Sequence, residues 1–244
     1  MTPIAFLGAR STTKLSQSCC KSTHITMKTI VYVDGYNWYH AIFKHHPEWK
    51  WLNVQSYFDA VRPHDQIISI KMFPAWIYHD PDAQERQKRY FDALGTLPRV
   101  KMIYGIFQPR TVTCRSDCKA QYVIQEEKKT DVNLAVEIID DAVREACEHM
   151  IVVSGDSDIQ PAVEWVARNR SAIKLTVLVP LLPNEYNERR VDYYKTRKLA
   201  VDCAFLSLKG IKENQFPNFV MLGGGKKAIR PHIWKAVGEN PINV

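Results

Sequence analysis

Four aspartates are spaced in a way that could do chemistry together. Asp34 follows the apolar run Thr29 to Val33, Asp131 follows Lys128, Lys129 and Thr130, and Asp156 and Asp158 follow the apolar run Met150 to Val153. Aspartates at the ends of buried strands are poorly solvated, and several held together repel one another, so their joint ionisation is costly. A hard divalent cation relieves that cost, because carboxylate oxygens suit Mg²⁺ or Mn²⁺. No Cys or His lies within these motifs, which argues against zinc there. A cation held this way can stabilise the in-line displacement of a phosphodiester. Each motif also has an ordinary use: Asp34 and Gly35 as a turn, Asp131 as an acid in a first helical turn, Asp156 and Asp158 as a cap. Their coincidence at three separate element ends favours a metal site.

The elements that must position these groups can be read from periodicity. Thr29–Val33 is a β-branched and aromatic run and reads as a buried strand. Helices are expected at 36–46, at Val54–Val61 before Pro63, and at Pro81–Leu94, which has proline at its start and Gly95 at its end. Ile67–Tyr78 and Arg99–Phe107 read as strands, and 108–129 as a loop or hairpin carrying Cys114 and Cys118. Thr130–Cys147 reads as a helix with Thr130 as its cap and Val132, Ala135, Val136, Ile139, Ala142, Val143 and Ala146 as its apolar stripe. Met150–Val153, Ile173–Val179 and 203–208 read as strands, and Ile159–Asn169 and Glu185–Ala200 as helices. Strands alternating with helices signify βαβ units around a mostly parallel sheet. Such sheets bind ligands at the carboxyl ends of their strands, where the aspartates fall.

Three stretches carry a family resemblance. Tyr32-Val-Asp34-Gly-Tyr-Asn37 resembles the opening motif of NYN domains, a branch of the PIN-like nucleases, in the LabA-like subgroup. Glu126-Glu-Lys128-Lys-Thr-Asp131-Val-Asn-Leu-Ala135 is similar to that subgroup's central motif, and Val153-Ser-Gly-Asp156-Ser-Asp158 to its third. Their order and spacing fit over roughly residues 28–200. The resemblance implies a three-layer α/β/α, Rossmann-like sandwich and an RNA-cleaving activity using Mg²⁺ or Mn²⁺. It implies Asp34, Asp131 and Asp156 as metal ligands, with Asp158 a further ligand, direct or through water. It also includes a cysteine pair in the loop holding Cys114 and Cys118, which leaves a metal knuckle or plain thiols open.

Around the aspartates, Asn37 can face the same pocket or cap a helix. Ser154 and Ser157 can bond a carboxylate or phosphate, with capping the simpler role for Ser157. Lys128 or Lys129 can reach a phosphate, and Tyr36 can stack on an unpaired base, so the expected partner is a single-stranded nucleic acid, which the resemblance implies is RNA. Arg189, Arg190, Lys195, Arg197 and Lys198 could line a phosphate-binding stripe. Preference for RNA over DNA comes from the resemblance alone. The alternative is a regulatory RNA-binding module with little turnover. A small-molecule phosphatase is disfavoured, because Asp34 lacks a second acid two residues on.

The chain has 244 residues and a formal charge of +7. Residues 27–199 hold 24 basic and 23 acidic residues, so the excess lies in the ends, as suits a polyanionic partner. No apolar run reaches the ~20 residues a membrane helix needs. Six scattered cysteines are not a disulfide framework and suggest a reducing, cytoplasmic setting. Residues 1–26, rich in Ser and Thr and without acids, are expected to be a disordered extension, with Met27 as an alternative start. The domain is expected at 27–208, followed by a flexible basic tail at 209–244. A homo-oligomer or protein partner stays open.

Overall fold

In the computed structural model, residues 26–78, 80–114, 118–181 and 198–235 are described. Residues 1–25 of the expected extension, the late helix as far as Arg197 with Arg189, Arg190 and Lys195, and the last nine residues lie outside them; Lys198, the last residue of that stripe, stands in a turn at positive φ and not in a helix.

A six-stranded sheet forms the middle layer. Its strands are β1 (Met27–Asp34), β2 (Asp65–Phe73), β3 (Val100–Met102), β6 (His149–Val153), β7 (Lys174–Val179) and β8 (Val201–Phe205). Their order is β3-β2-β1-β6-β7-β8, and every pairing is parallel. The chain winds outward in one direction from β1 and in the other from β6. Those two strands flank the topological switch point, where this kind of sheet opens a crevice.

Alternation along the strands builds the two outer layers. Val31, Val33, Ile70, Met72, Ile151 and Val153 face one core together with Trp38, Tyr57, Phe58 and Leu94. Helices α2 (Val54–Val61) and α3 (Pro81–Leu94) supply that side. Ile30, Tyr32, Met150 and Val152 face a second core with Leu134, Ile138, Ala162 and Val163. Helices α4 (Thr130–Val143) and α5 (Gln160–Asn169) cover it. The expected three-layer α/β/α arrangement with a mostly parallel sheet is what forms.

Several local expectations change. The helix expected at 36–46 is a short α1 (Gly35–Trp38) running into a π-helical turn, Tyr39–Phe43. The strand expected at Arg99–Phe107 breaks in two: the chain leaves the sheet after Met102 and starts an antiparallel ribbon, β4 (Ile106–Thr113) with β5 (Gln121–Lys128). Gly105 makes the crossing possible, because a β-carbon there would fall 2.5 Å from Thr130 Oγ1 and 2.8 Å from the Lys128 carbonyl. Cys114 follows β4 and the exposed Cys118 precedes β5.

Helix α4 is shorter and rotated relative to the expected stripe. The cap position belongs to Lys129, at φ 77, and Thr130 is the first helical residue. The helix ends at Val143 because the chain turns through Glu145, also at positive φ. Its buried face is Leu134, Ile138, Asp141 and Ala142, while Val132 and Val136 are 66% and 58% exposed.

The stretch expected to be a flexible tail from 209 is folded as far as 235. Helix α6 (Leu208–Glu213) and a hairpin of β9 (Phe219–Met221) and β10 (Lys227–Ile229) follow β8. Ile211, Phe216, Ala228 and Trp234 are buried in the first core, so hydrophobic burial overrides the basic, glycine-containing composition. Trp51 Nε1 donates to the Pro217 carbonyl at 2.7 Å, and Arg230 donates to the Glu48 carbonyl at 2.8 Å.

Candidate active site

Asp34 ends β1 at the switch point and is 2% exposed. Its Oδ1 accepts the Asn37 backbone N–H at 2.9 Å, so the carboxylate caps α1. Its Oδ2 accepts the Ser154 hydroxyl at 2.8 Å, from the loop after β6. Asn37 answers in the other direction: its Oδ1 accepts the Gly155 backbone N–H at 2.9 Å. Two crossed hydrogen bonds therefore tie the β1 loop to the β6 loop. Capping α1 is Asp34's role, which leaves the Asn37 side chain at the pocket.

The β6 loop is braced in turn. Ser154 Oγ accepts the Asp156 N–H at 3.0 Å, and Asp156 Oδ1 accepts the Asp158 N–H at 3.0 Å. Asp156 thus caps the turn Ser157–Ile159 with Asp158 as its first-turn acid, the ordinary use open to this motif, and Ser157 does not take the capping role. Ser157 Oγ lies 3.5 Å from Asp158 Oδ1, and both residues are exposed. Proline near the start of α5 then fixes the helix that follows.

Asp131 enters from the second layer, in the first turn of α4, half-buried. Burial raises its carboxyl above the usual range, and Asp156 and Asp158 raise it further. Burial likewise pushes Asp34 up to about 6. The Asn37 and Ser154 hydrogen bonds pull against this shift, and the charges of Asp131 and Asp156 add to it. Asp34 therefore senses the charges of Asp131 and Asp156, and Asp131 those of Asp156 and Asp158.

Periodicity alone gave little reason to include a fifth carboxylate, Glu127. It stands half-buried near the end of β5, and its Oε1 accepts the Thr130 N–H at 3.1 Å. Burial raises its pKa; the Thr130 bond opposes this, and Asp131 and Asp34 reinforce it. The available signal was its position three residues before a helix start, where a carboxylate caps exposed N–H groups.

The remaining predicted residues form the rim or lie off it. Tyr36 is 43% exposed, its ring 4.3 Å from His40 and 6.4 Å from Phe107. Burial and then the Glu127 charge raise its hydroxyl, which places it beside that carboxylate. Lys129 is exposed next to Asp131. Lys128 is exposed and turned toward Glu126, 3.1 Å away.

The donor set is hard oxygen, which fits a divalent cation of the Mg²⁺ or Mn²⁺ kind. As the side chains stand, no three Asp, Glu, His or Cys among the described residues are gathered into a group that could hold an ion. Asp34 is fixed, whereas Asp158 is exposed and Asp131 and Asp156 are only partly buried. Closure of a metal shell would therefore fall to those three side chains.

Comparison with known proteins adds three findings. The family model for the NYN domain matches residues 28–194. The chain is 29% identical over 188 residues to the 6-hydroxy-3-succinoylpyridine 3-monooxygenase of Pseudomonas putida, covering 63% of this chain and 60% of that protein. The chain thus spans about 60% of that relative's length. A solved structure of a Vibrio parahaemolyticus protein of unknown function aligns with TM-score 0.47 and 19% identity, over 77% of this chain and 97% of that one. Among the described residues, no helix is long and apolar enough to cross a membrane.

Proposed function

The chain belongs to the NYN domain family, and on that premise we propose that it is a metal-dependent ribonuclease of the LabA-like subgroup, hydrolysing phosphodiester bonds in single-stranded RNA. Family membership supports a PIN-like nuclease, a class that generally uses divalent metals. The observation that supports the reading is Asp34 at the switch point of a parallel sheet, locked by Ser154 and Asn37, with Asp131 and Asp156 near enough for their charges to raise its carboxyl. The monooxygenase chemistry named for the Pseudomonas relative stays with that protein, at 29% identity.

In this reading Asp34, Asp131, Asp156 and Asp158 hold Mg²⁺ or Mn²⁺. When bound, the ion supplies Lewis acidity at the scissile phosphodiester. Ser154 and Asn37 position rather than react: they fix the Asp34 carboxylate and the β6 loop so that no reorganisation is needed at the moment of reaction. Lys129, and Lys128 once released from its exposed pairing with Glu126, reach backbone phosphates. Tyr36 offers an exposed ring face to a base, and Ser157 a hydroxyl to a phosphate at the rim.

The test is cleavage of labelled single-stranded RNA and matched DNA in Mn²⁺, Mg²⁺ or EDTA, by wild type, Asp34→Asn and Asp156→Asn. RNA cleavage should need the metal and be lost in both variants. Ser154→Ala should retain activity reduced by about 10- to 100-fold, as outer-shell partners do. A folded wild type that binds RNA equally in metal and EDTA and cuts none would sink the proposal in favour of a binding module.

A further inference from the structure

Beyond β2, at the same edge of the sheet, stands an aromatic cleft that the acidic site does not use. Phe73 pairs with Asp34 across the β1–β2 ladder, and the chain then leaves the sheet. Ala75 forms a parallel bridge to Gly105, whose N–H donates to the Pro74 carbonyl at 2.8 Å. Trp76 stacks on Tyr104, with centroids 5.5 Å apart and planes 23° from parallel. Phe91 of α3 meets the Trp76 ring edge-on at 4.9 Å. Gln87 fixes the backbone on both sides of Trp76: its Oε1 accepts the Ile77 N–H at 2.9 Å and its Nε2 donates to the Ala75 carbonyl at 2.8 Å. Trp76, Tyr78, Pro81, Gln84, Glu85 and Lys88 line an open surface groove of about 380 Å³.

The chemistry of the cleft is that of a flat ring with a polar edge. Tyr78 and Tyr104 are 62% and 40% exposed, and Trp76 lies against the Tyr104 ring. Stacking on such rings accepts any base. Gln84 carries an amide that both donates and accepts, as a base edge requires. Lys88, one helical turn on, pairs with Asp92 at 2.6 Å on the surface, a bond weak enough to exchange for a phosphate. The strand end beside the cleft is tied to α4, the helix that carries Asp131. The Tyr104 carbonyl accepts from Asn133 Nδ2 at 3.3 Å, and Asn133 is two residues from Asp131 on α4.

We propose that the cleft of Trp76, Tyr78 and Tyr104 stacks an unpaired nucleobase of single-stranded RNA, a few nucleotides along the strand from the bond presented to Asp34. The choice of polymer rests on the nuclease reading above.

The test uses the full chain in EDTA with single-stranded oligoribonucleotides carrying 2-aminopurine at successive positions. A position distinct from any base stacked on Tyr36, and still quenched in a Tyr36→Ala protein, should be quenched on binding. Trp76→Leu and Tyr78→Ala should each remove that quench and weaken binding by about 5- to 150-fold, the value of one stacked base. Tyr78 is exposed, so its variant should keep the wild-type melting temperature. Both variants should hydrolyse bis(p-nitrophenyl) phosphate in Mn²⁺ at the wild-type rate, because that diester is too short to reach the cleft. The proposal is overturned if both variants bind RNA as tightly as wild type, or if free adenosine or a free pyridine occupies the cleft as tightly as the oligonucleotide. A wild type that binds and quenches but cleaves nothing would remove the catalytic reading and uphold the cleft. Diester hydrolysis without any quenched position would do the reverse.

Discussion

At the scale of single residues, Asp34 carries a conflict between stability and function. It is buried, and in the metal-free protein its carboxyl is pushed up to about 6 from 3.8. The folded state therefore holds this proton more tightly than the unfolded chain does. The resulting stabilisation is complete below about pH 4 and is lost as pH rises through about 6. At neutral pH the ionised carboxylate costs on the order of 2–3 kcal/mol. Asp34→Asn removes that charge, so in EDTA it should raise the melting temperature near pH 8, with the gain vanishing near pH 4. Thermal unfolding across a pH series reads this directly. An Asp34→Asn variant no more stable than wild type at pH 8 would mean that the Asn37 and Ser154 hydrogen bonds fully offset the burial. Asp34, Asn37 and Ser154 were legible in the sequence because a strand end followed by a polar motif marks a sheet's carboxyl edge. Glu127 was not, since its place in the cluster depends on how the β5–α4 turn folds.

At the scale of elements, α4 shows why an apolar stripe can mislead. The sheet beneath it presents Lys71 and Tyr32, both buried polar groups that need partners. Asp141 supplies one, accepting from Lys71 Nζ and from Tyr32 Oη, each at 2.6 Å, and Glu137 accepts from Lys71 at 2.5 Å. Burial alone would lower the Lys71 ammonium; Asp141 and Glu137 more than offset it and hold the group above its usual value. The helix turns to satisfy these charges, and Val132, Val136 and Val143 are left outside. Hydrophobic periodicity cannot see an aspartate that belongs in the core. Lys71→Met leaves the buried Asp141 short of its cation and should cost about 3–5 kcal/mol in urea denaturation. Lys71→Met combined with Asp141→Leu should recover most of that loss. A single-variant cost below about 1 kcal/mol would show that α4 is not fastened by this network.

At the scale of the whole molecule, alternation of strand and helix was enough to give the α/β class, and α2 and α3 fall at the expected residues. The C-terminal boundary was not legible, because charge and glycine content describe a segment's surface and not what it packs against. Residues 208–235 complete the core over α2, where Gly210 lies so close that a β-carbon would come within 2.7 Å of Val61. Ser207 N–H donates to the Tyr57 hydroxyl at 3.1 Å, and the Asn53 N–H donates to the Asn214 carbonyl at 2.9 Å. Full burial of a large apolar side chain stabilises by roughly 1.5–3 kcal/mol. Ile211, Phe216 and Trp234 together therefore contribute an amount comparable to the ~5–15 kcal/mol net stability of a domain. A chain ended after Ser207 would also bare Trp51, Leu52 and Tyr57, buried beneath the segment. Such a truncation should lose cooperative thermal unfolding and aggregate, even though it retains Asp34, Asp131, Asp156 and Asp158. Calorimetry of the truncated and full chains decides the point. A truncated protein with a sharp transition within a few degrees of the full chain would mean that the segment is an appendage and that the sheet bearing the aspartates folds without it.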